Sequence, residues 1–428
     1  MSIFHGLFGV FALTLIAWLL SSNRKKINWR TVGGALALQI VLALLILKVP
    51  FVATGFDFIA RGFVQVISFT DFGSDFLFGS FVDQGKVHPA LITFAFRVLP
   101  TIIFFSALTA LLYYLRILQL VVFALAWIMK VTLKLSGAES LAAAGNVFLG
   151  QTESPLLVKP FLAKMTKSEM MSLMTGGMAT IAGGVLASYV TFLSNGDKAQ
   201  ELLFAKHLLA ASIMSAPAAI AAAKLLVPET ESYDRAMSLN KDRGGSNVLE
   251  AISNGTSDGI RLAVNVGAML LVFTALIYMG NWIMGDVIGH YTGLNNVIAD
   301  NTSYDKLSFQ MILGYVGAPI AMLIGVCSED ALLVGQLLGE KTILNEFYAY
   351  TTLGDMKGQG RFFEQKSVIM ATYVLCGFAN FASIGIQIGG IGALAPTRKG
   401  LLSKLGVKAL IGGTLACLYT AAIVGMFY

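Results

Sequence analysis

The chain carries little charge for its length. Only 13% of its 428 residues are Asp, Glu, Lys or Arg, whereas a soluble domain has about 25%. The basic residues that give the net charge of +6 lie in short loops between apolar runs, as the orientation determinants of membrane proteins do. The composition therefore excludes a soluble globular domain, and the charge does not indicate a nucleic-acid partner.

Cysteine and histidine are also scarce. The three cysteines, Cys327, Cys376 and Cys417, lie in apolar sequence without metal-ligand spacing, and the four histidines form no cluster. We expect buried, inert thiols, with neither a disulfide framework nor a cofactor.

The signatures of soluble enzymes are missing. No phosphate-binding loop, GxSxG, HExxH or dinucleotide fingerprint occurs in a suitable context. The sequence thus predicts a protein that is not an enzyme. An intramembrane protease with Glu153 and Glu346 as its acidic pair is a formal alternative, although it would leave the neighbouring amides and hydroxyls without a role.

No Lys or Arg precedes the first apolar run, 3–20, whereas Arg24, Lys25, Lys26 and Arg30 follow it. This order is the reverse of that in a cleaved signal peptide. We expect a retained first span with its N-terminus outside, and a C-terminus that is outside as well.

Long apolar runs are the dominant feature of the sequence. Hydrophobic residues make up 56% of the chain, and several runs approach the roughly 20 residues that cross a bilayer as a helix. The sequence predicts an all-α polytopic membrane protein with about eight transmembrane helices in the lipid bilayer. Segments 51–86 and 118–135 are predicted to be interfacial helices, although a span is the alternative for the second.

Changes in composition divide the chain into five segments. They are N-terminal spans with an interfacial helix (1–89), a scaffold span with an amphipathic helix (90–135), a first hairpin with an interrupted helix and a span (136–227), a polar loop with a scaffold span (228–306), and a second hairpin with an interrupted helix and the last span (307–428).

One polar stretch interrupts the apolar sequence of the first half. Gln151, Thr152 and Glu153 stand between apolar arms at 139–149 and 156–163, each about half the ~20 residues of a full crossing. An ionisable residue at membrane depth is costly and indicates function. We therefore predict a re-entrant hairpin whose tip lies in the middle of the membrane.

The next segment, 168–193, is long enough to span but has four glycines within 176–184, around Thr180. Such a run favours an unwound segment whose free carbonyls coordinate a ligand. Close helix packing through small residues is the alternative.

The second half repeats this order. Arms at 307–323 and 332–344 flank a polar tip at 325–330, and the span 368–394 is interrupted at 378–383. Paired interrupted segments of this kind predict a transporter with an inverted repeat, in which the two hairpins open to opposite sides. Lys357, Arg361 and Lys366 would then lie outside, against the usual charge bias.

If both tips and both interruptions meet, they form a polar site without Lys or Arg. This composition suits an uncharged ligand with many donors and acceptors, or a cation, and argues against phosphate or dicarboxylate substrates. Phe378 can pack against a flat ring. The polar members are Gln151, Thr152, Glu153, Glu346, Asn380 and Ser383.

A coupling ion has two possible sites. A sodium ion takes hard oxygen ligands, which residues 146–149 and 180–181 and the Thr152 hydroxyl would supply. Protonation of Glu153 or Glu346 is the alternative.

Four runs resemble the concentrative nucleoside transporters: GQTESP at 150–155, MTGGMATIAG at 174–183, NEF at 345–347 and CGFAN at 376–380. The likeness extends over nearly the whole chain. It implies a homotrimer of the inner (plasma) membrane that imports a nucleoside such as uridine, coupled to a sodium gradient, by elevator-type alternating access. Proton-coupled symport is the alternative. Asn146 and Thr152 stand where proton-coupled members have Ser, which favours sodium.

The resemblance also implies a role for each site residue. The nucleobase would contact Gln151, Thr152 and Glu153, and the ribose would contact Glu346, Asn380 and Ser383. Apolar contacts would come from Val185, Leu262 and Phe378. Sodium would bind the carbonyls of Asn146, Leu149, Thr180 and Ile181 and the hydroxyls of Thr152 and Thr180. The sequence departs from many bacterial relatives at the second tip, where Cys327 replaces a proline after Val326.

Overall fold

A computed structural model describes residues 2–78, 82–83, 86–87, 94–194, 197–234, 237, 245–302 and 304–428. These parts of the chain are almost entirely helical, which confirms the predicted fold class. The α-helices are α1 (Ser2–Leu19), α2 (Trp29–Lys48), α3 (Pro50–Phe78), α4 (Phe94–Tyr114), α5 (Ile117–Leu133), α6 (Gly137–Asn146), α7 (Ser154–Leu157), α8 (Lys167–Ala179), α9 (Gly183–Ser194), α10 (Lys198–Leu226), α11 (Val248–Asn281), α12 (Leu294–Asn301), α13 (Phe309–Leu323), α14 (Ser328–Ile343), α15 (Glu346–Gly358), α16 (Gln365–Leu375), α17 (Phe381–Leu394) and α18 (Lys399–Gly425).

The remaining described elements are short. Two 3-10 turns, Arg24–Lys26 and Pro396–Arg398, precede α2 and α18, and a π-helix, Trp282–Gly289, continues α11. Val82–Asp83 and Lys86–Val87 pair as antiparallel two-residue strands. None of these elements reaches the polar tips.

Helix length and composition agree with the predicted number of spans. Among the described residues, six helical stretches are long and apolar enough to cross a membrane, or eight if each of two bent pairs counts as one span. One of the six is α3, a continuous helix of 29 residues, where the sequence predicted an interfacial helix within 51–86. Only Ala60, Ile67 and Thr70 of α3 are buried, so an interfacial position for this helix stays a prediction.

α5 does not continue the direction of α4. The two helices meet at a 75° bend, where Arg116 has a left-handed backbone with φ of 63°. One face of α5 is buried, including Val122, Ala126 and Met129, and the opposite face is exposed. This amphipathic helix has the shape expected of the predicted peripheral helix.

The second re-entrant hairpin has two regular arms. α13 and α14 meet at 117°, and the turn between them passes through Gly325 at φ +101°. The arms touch backbone to backbone, because Gly317 faces Gly335 and a Cβ on Gly335 would lie 2.5 Å from the Ala318 nitrogen. The two arms therefore pack as one tight unit.

The first hairpin is less regular than predicted. Its first arm, α6, is helical, but the second arm has only the four residues of α7, followed by a series of hydrogen-bonded turns as far as Met165. The expectation of two half-length helices is thus wrong for this arm. Proline explains the difference: Pro155 is tolerated in the first turn of α7, but Pro160 has no N–H to continue a helical ladder.

Both predicted interruptions are present. α8 ends at Ala179 and α9 starts at Gly183, with Thr180 in extended conformation between them. The segment is therefore unwound, as predicted, and the alternative of a continuous helix packed through its glycines is wrong. The second break runs from Cys376 to Asn380, and the Asn380 side chain caps α17 by accepting from the Ser383 backbone N–H. Each half thus contains a hairpin, a broken helix and a plain helix.

The two breaks pack against each other. Gly377 has φ +127°, and a Cβ at this position would lie 2.7 Å from the carbonyl oxygens of Met178 and Ala179. α18 covers the crossing with Gly413, whose missing side chain leaves room for Met178 and Ala379. Glycine is required here both by the left-handed backbone and by the close approach.

One helix was missed by the sequence analysis. α15 follows the second hairpin and buries Phe347, Tyr350 and Leu353. These residues have helical three-residue spacing, but no helix was predicted in this region, and Lys357 was only placed outside the membrane. α12 and the π-helix lie in segment 228–306, for which a polar loop and a scaffold span were predicted.

The cysteines are only partly as expected. Cys376 and Cys417 are buried, but Cys327 is half-buried at the second tip, beside Asp330 and Ser367. The boundary between segments 1–89 and 90–135, and much of the polar loop 228–247, fall outside the described residues.

We predict that Gly377→Ala destabilises the protein. The left-handed backbone costs about 1–3 kcal/mol for a residue with a side chain, and the new methyl group would also meet the Met178 and Ala179 carbonyls at 2.7 Å. Thermal unfolding in detergent should occur at a lower temperature than in the wild type.

Gly389→Ala is the matched control, because Gly389 lies on α17 with nothing within 4 Å of its missing Cβ. It should be neutral or slightly stabilising. Equal melting temperatures for Gly377→Ala and the wild type would contradict the tight crossing.

Candidate functional site

The tip of the first hairpin lies against the break between α8 and α9. The Gly183 backbone N–H donates to the Phe148 carbonyl over 3.1 Å, and a Cβ on Gly150 would lie 3.4 Å from that of Ala182. The polar tip residues therefore lie beside the unwound segment, as the sequence predicted.

A continuous chain of hydrogen bonds joins this tip to the second break. The Gln151 amide Nε2 donates to Ser383 Oγ over 3.0 Å. The Ser383 backbone N–H donates to Asn380 Oδ1, and Asn380 Nδ2 donates to Glu346 Oε2 over 2.7 Å. Four of the six predicted polar residues are thus brought together, from three different parts of the sequence.

Glu346 is the single carboxylate in this series of hydrogen bonds. It is 3% exposed and accepts a second hydrogen bond from the Tyr189 hydroxyl over 3.3 Å. Tyr189 stacks on Tyr350, with ring centroids 4.1 Å apart. The stacked rings hold the phenol in place, so Glu346 has a defined orientation on the first turn of α15.

Sequence reasoning missed two members of the network, Tyr189 and Gln387. Gln387 Nε2 donates to Gln151 Oε1 and to the Met174 carbonyl. Its position four residues after Ser383 places both side chains on the same face of α17, and it is a lone amide in an apolar run. That pattern could have identified Gln387. Tyr189 gave no comparable signal in an apolar helix.

Gly177 makes room for the amide pair. A Cβ at this position would lie 2.8 Å from Gln387 Nε2 and 2.9 Å from Gln151 Cβ. The glycine run of α8 therefore does more than weaken the helix, because it lets two amides approach the helix backbone.

Thr152 and Glu153 do not join the network. Thr152 is exposed and lies toward Gly390 of α17. Glu153 is half-buried, and its carboxylate accepts from the Gly150 backbone N–H over 3.4 Å. Both side chains border the hydrogen-bonded chain with their polar atoms largely uncommitted.

The three predicted apolar contacts are placed differently. Val185 is buried one turn before Tyr189 on α9, and Phe378 is buried inside the second break. Leu262 is 38% exposed on α11. The structure thus places Val185 and Phe378 within the walls of the site, whereas the position of Leu262 in the site stays a prediction.

Four carbonyl oxygens at the first tip and break are free of backbone hydrogen bonds. No backbone N–H in the described ranges donates to Asn146, Leu149, Thr180 or Ile181. The neighbouring carbonyls differ, since Phe148 accepts from Gly183 and Val147 accepts from the Ser212 hydroxyl. Free carbonyls at broken helices are typical cation ligands in transporters.

The Asn146 side chain is also unsatisfied. It is 1% exposed, and neither its Oδ1 nor its Nδ2 has a partner within the described part of the chain. It packs on Gly176, where a Cβ would come within 2.6 Å of Nδ2. Buried amides rarely lack partners, so this position fits a bound species that is not part of the chain.

Comparison with known proteins identifies the family. The family model described as the C-terminus of Na+ dependent nucleoside transporters matches residues 207–425, and the N-terminal model of the same family matches residues 8–81. A third model, described as a nucleoside recognition gate, matches residues 95–196.

Similar proteins cover the whole chain. An uncharacterized transporter of Haemophilus influenzae is 42% identical over 100% of this chain and 98% of its own length. Solute carrier family 28 member 3 of Homo sapiens is 39% identical over 98% of this chain, which spans 59% of that longer protein.

A solved structure gives the same result. CNTnw in an inward-facing substrate-bound state is 38% identical and superposes with a TM-score of 0.88, covering 100% of this chain and 99% of that one. The intramembrane-protease alternative is therefore wrong. The chain belongs to the family of Na+ dependent nucleoside transporters, which are membrane transporters and not enzymes.

Proposed function

We propose that this chain imports nucleosides such as uridine, driven by a sodium gradient. The observation that carries the proposal is the hydrogen-bonded chain from Gln151 through Ser383 and Asn380 to Glu346, next to a group of free carbonyls. Amides, hydroxyls and one carboxylate suit a neutral, polar solute, and the carbonyls suit a cation. One hairpin tip contributes to both groups.

Each part of the site has a proposed partner on the nucleoside. Glu346, Asn380 and Ser383 would bind the ribose, because a carboxylate accepts hydrogen bonds from two adjacent hydroxyls. Gln151, Thr152 and Glu153 would bind the base edge. Val185, Phe378 and Leu262 would pack against the rings. In the described structure Gln151, Ser383, Asn380 and Glu346 are joined by hydrogen bonds, and the nucleoside would replace some of those bonds.

Sodium would bind next to the base. Its ligands would be the free carbonyls of Asn146, Leu149, Thr180 and Ile181 and the hydroxyls of Thr180 and Thr152. Because Thr152 lies between two base-binding residues in sequence, occupancy by sodium would fix the hairpin tip in the position that holds the nucleoside. This adjacency is a direct means of coupling.

The proposed orientation puts both termini outside, in the inner (plasma) membrane. Three basic regions lie together on one side of the protein, since Lys408 of α18 donates to Ser22, and Arg398 donates to Met165 at the end of the first hairpin. This side fits the cytoplasm. Lys357 departs from the bias, but its ammonium group binds the Leu193 carbonyl near the end of α9, a local role.

An elevator movement in a homotrimer completes the proposal. α4 and α11 pack closely, because Gly259 approaches Ile103 and Gly255 approaches Ala107. α11 leaves large apolar side chains exposed, including Leu271 and Tyr278. We infer a fixed α4–α11 scaffold that contacts other protomers or lipid, and a moving unit that contains both hairpins.

Uridine uptake into proteoliposomes tests the function. We expect accumulation against a concentration gradient when sodium is higher outside, and little uptake in potassium alone. Absence of uptake under both a sodium and a proton gradient would refute the proposal. Uptake without accumulation would indicate a channel, and uptake driven by protons alone would indicate the proton-coupled alternative.

We predict that Glu346→Gln greatly weakens nucleoside binding. The carboxylate accepts two hydrogen bonds, and a glutamine would place an N–H₂ group where ribose hydroxyls need an acceptor. Hydrogen bonds to a charged group contribute about 1.5–3 kcal/mol, so affinity measured by scintillation proximity should fall about tenfold or more, with folding retained.

Asp355→Asn is the matched control, an exposed carboxylate on the same helix. It should bind and transport like the wild type. Normal uridine affinity in Glu346→Gln would remove Glu346 from the site.

We predict that Thr180→Val raises the sodium concentration needed for half-maximal uptake. The Thr180 hydroxyl donates to the Gly176 carbonyl over 2.8 Å, which leaves its lone pairs free for a cation. Uridine affinity at saturating sodium should change little. Both quantities are measured in the same uptake assay.

Thr191→Val is the control, because the Thr191 hydroxyl donates in the same way to the Ala187 carbonyl, away from the break. An unchanged sodium dependence in Thr180→Val, or an equal shift in Thr191→Val, would argue against this ion site.

A further inference from the structure

A second buried carboxylate lies outside the site described above. Glu340 is on α14, the second arm of the second hairpin, and is 1% exposed. Its Oε1 accepts from Gln336 Nε2 over 2.8 Å, one turn earlier on the same helix. Its Oε2 has no hydrogen-bond partner among the described residues.

No cation compensates Glu340 within the described part of the chain. Its neighbour in sequence, Lys341, is fully buried but points to a different region, donating to the Val374 carbonyl over 2.9 Å and to Cys417 Sγ over 3.2 Å. The ion pairs of the described residues do not include Glu340. Two adjacent residues thus bury opposite charges without pairing them.

The groups that face Glu340 are hydroxyls and an amide. Thr352 and Tyr348 approach it from α15, and Tyr304 acts on it from the segment before α13. The Tyr304 hydroxyl is itself buried without a partner in the described ranges. The nearby acid Glu346, in contrast, accepts hydrogen bonds from Asn380 and Tyr189.

An isolated carboxylate in such a place is unfavourable. Desolvation of an unpaired charge costs several kcal/mol, and a buried acid therefore binds a proton or a cation. Gln336 presents its N–H₂ group to the carboxylate, so only one charged oxygen and a few hydroxyls face the position. This set is poor for a metal ion and sufficient for a proton, since a protonated carboxyl needs one acceptor.

We propose that Glu340 is a proton-binding site of the transport cycle, separate from the sodium and nucleoside sites. It takes a proton from the outer solution, carries it with the second hairpin, and releases it inside. The proposal rests on the proposed transport function, to which it adds a second coupling ion.

Half-buried polar groups lie between Glu340 and a helix end. Tyr348 lies near Glu340 and Gln310, and Gln310 Oε1 accepts from Asn281 Nδ2 over 2.9 Å. Asn281 and Gln310 lie at the C-terminal end of α11 and the start of α13. A proton would reach the buried acid along these polar side chains.

Proton movement in proteoliposomes tests the proposal. With an inward sodium gradient and a pH-sensitive dye in the lumen, the wild type should acidify the lumen by about one proton per uridine, since one carboxyl carries one proton. Glu340→Gln mimics the protonated acid in shape, and should take up uridine with sodium but without acidification. Glu329→Gln, an exposed carboxylate on the same helix, should behave like the wild type.

Each outcome of this experiment leads to a different conclusion. Uridine uptake by the wild type without acidification would overturn the proposal without any variant, and so would equal acidification by Glu340→Gln. If Glu340→Gln instead lowers the ratio of ²²Na⁺ to uridine, the site binds sodium and the proton assignment is wrong. Complete absence of uridine uptake by the wild type would mean that the transport function itself has failed.

The pH dependence gives a second measurement. At low uridine concentration, uptake by the wild type should increase as the external pH is lowered, because protonation loads Glu340. Uptake by Glu340→Gln should not depend on pH in this way. A pH profile that is the same in both proteins would contradict the proposal.

Discussion

The close approach of two helix breaks at Gly377 sets the position of the residues that follow each break. Ala179 ends one broken helix at this point, and the other broken helix passes it with no side chain between the backbones. Asn380 and Ser383 follow the second break directly, while Thr180 and Ile181 follow the first. A shift at the crossing would therefore change the distance between Asn380 and Ser383 on one side and the free carbonyls of Thr180 and Ile181 on the other.

The site combines rigid and adjustable parts. Glu346 is oriented by Tyr189, and that phenol is fixed by its stacking on Tyr350. Gln151 is held only by other amides and a hydroxyl, which can exchange partners. The carboxylate thus has a fixed orientation, whereas the amide at the hairpin tip can change its partners. In the proposed nucleoside site, selectivity among bases would depend on the tip more than on Glu346.

Much of the architecture could be predicted from the sequence, because bilayer thickness makes segment length informative. Half-length arms around GQTESP, and glycines beside Thr180, indicated a hairpin and a break, and both are present. The irregular second arm of the first hairpin could not be predicted from length alone, because Pro160 lacks a backbone N–H for helical hydrogen bonds. α15 was missed although Phe347, Tyr350 and Leu353 on its buried face have helical spacing.

The site residues, too, could be predicted only in part. Polar residues in apolar sequence could be recognised one by one, and four of them do meet in one hydrogen-bonded chain. Tyr189 could not be found, because a tyrosine in an apolar helix has no distinctive spacing. Nor could sequence alone show that the adjacent side chains of Lys341 and Glu340 form hydrogen bonds in different regions. That separation follows from the direction of each side chain on α14.

The glycine contact within the second hairpin has a mechanical consequence. Gly317 and Gly335 bring the two arms together at their backbones, so the arms cannot slide past each other without a steric clash. The hairpin is a stiff lever whose long axis includes both Glu340 and Lys341. A tilt that opens its tip at Cys327 would swing these two buried charges by a proportionate amount at the same instant. Exposure of the tip and exposure of the buried acid would then be one event, with a single energy barrier.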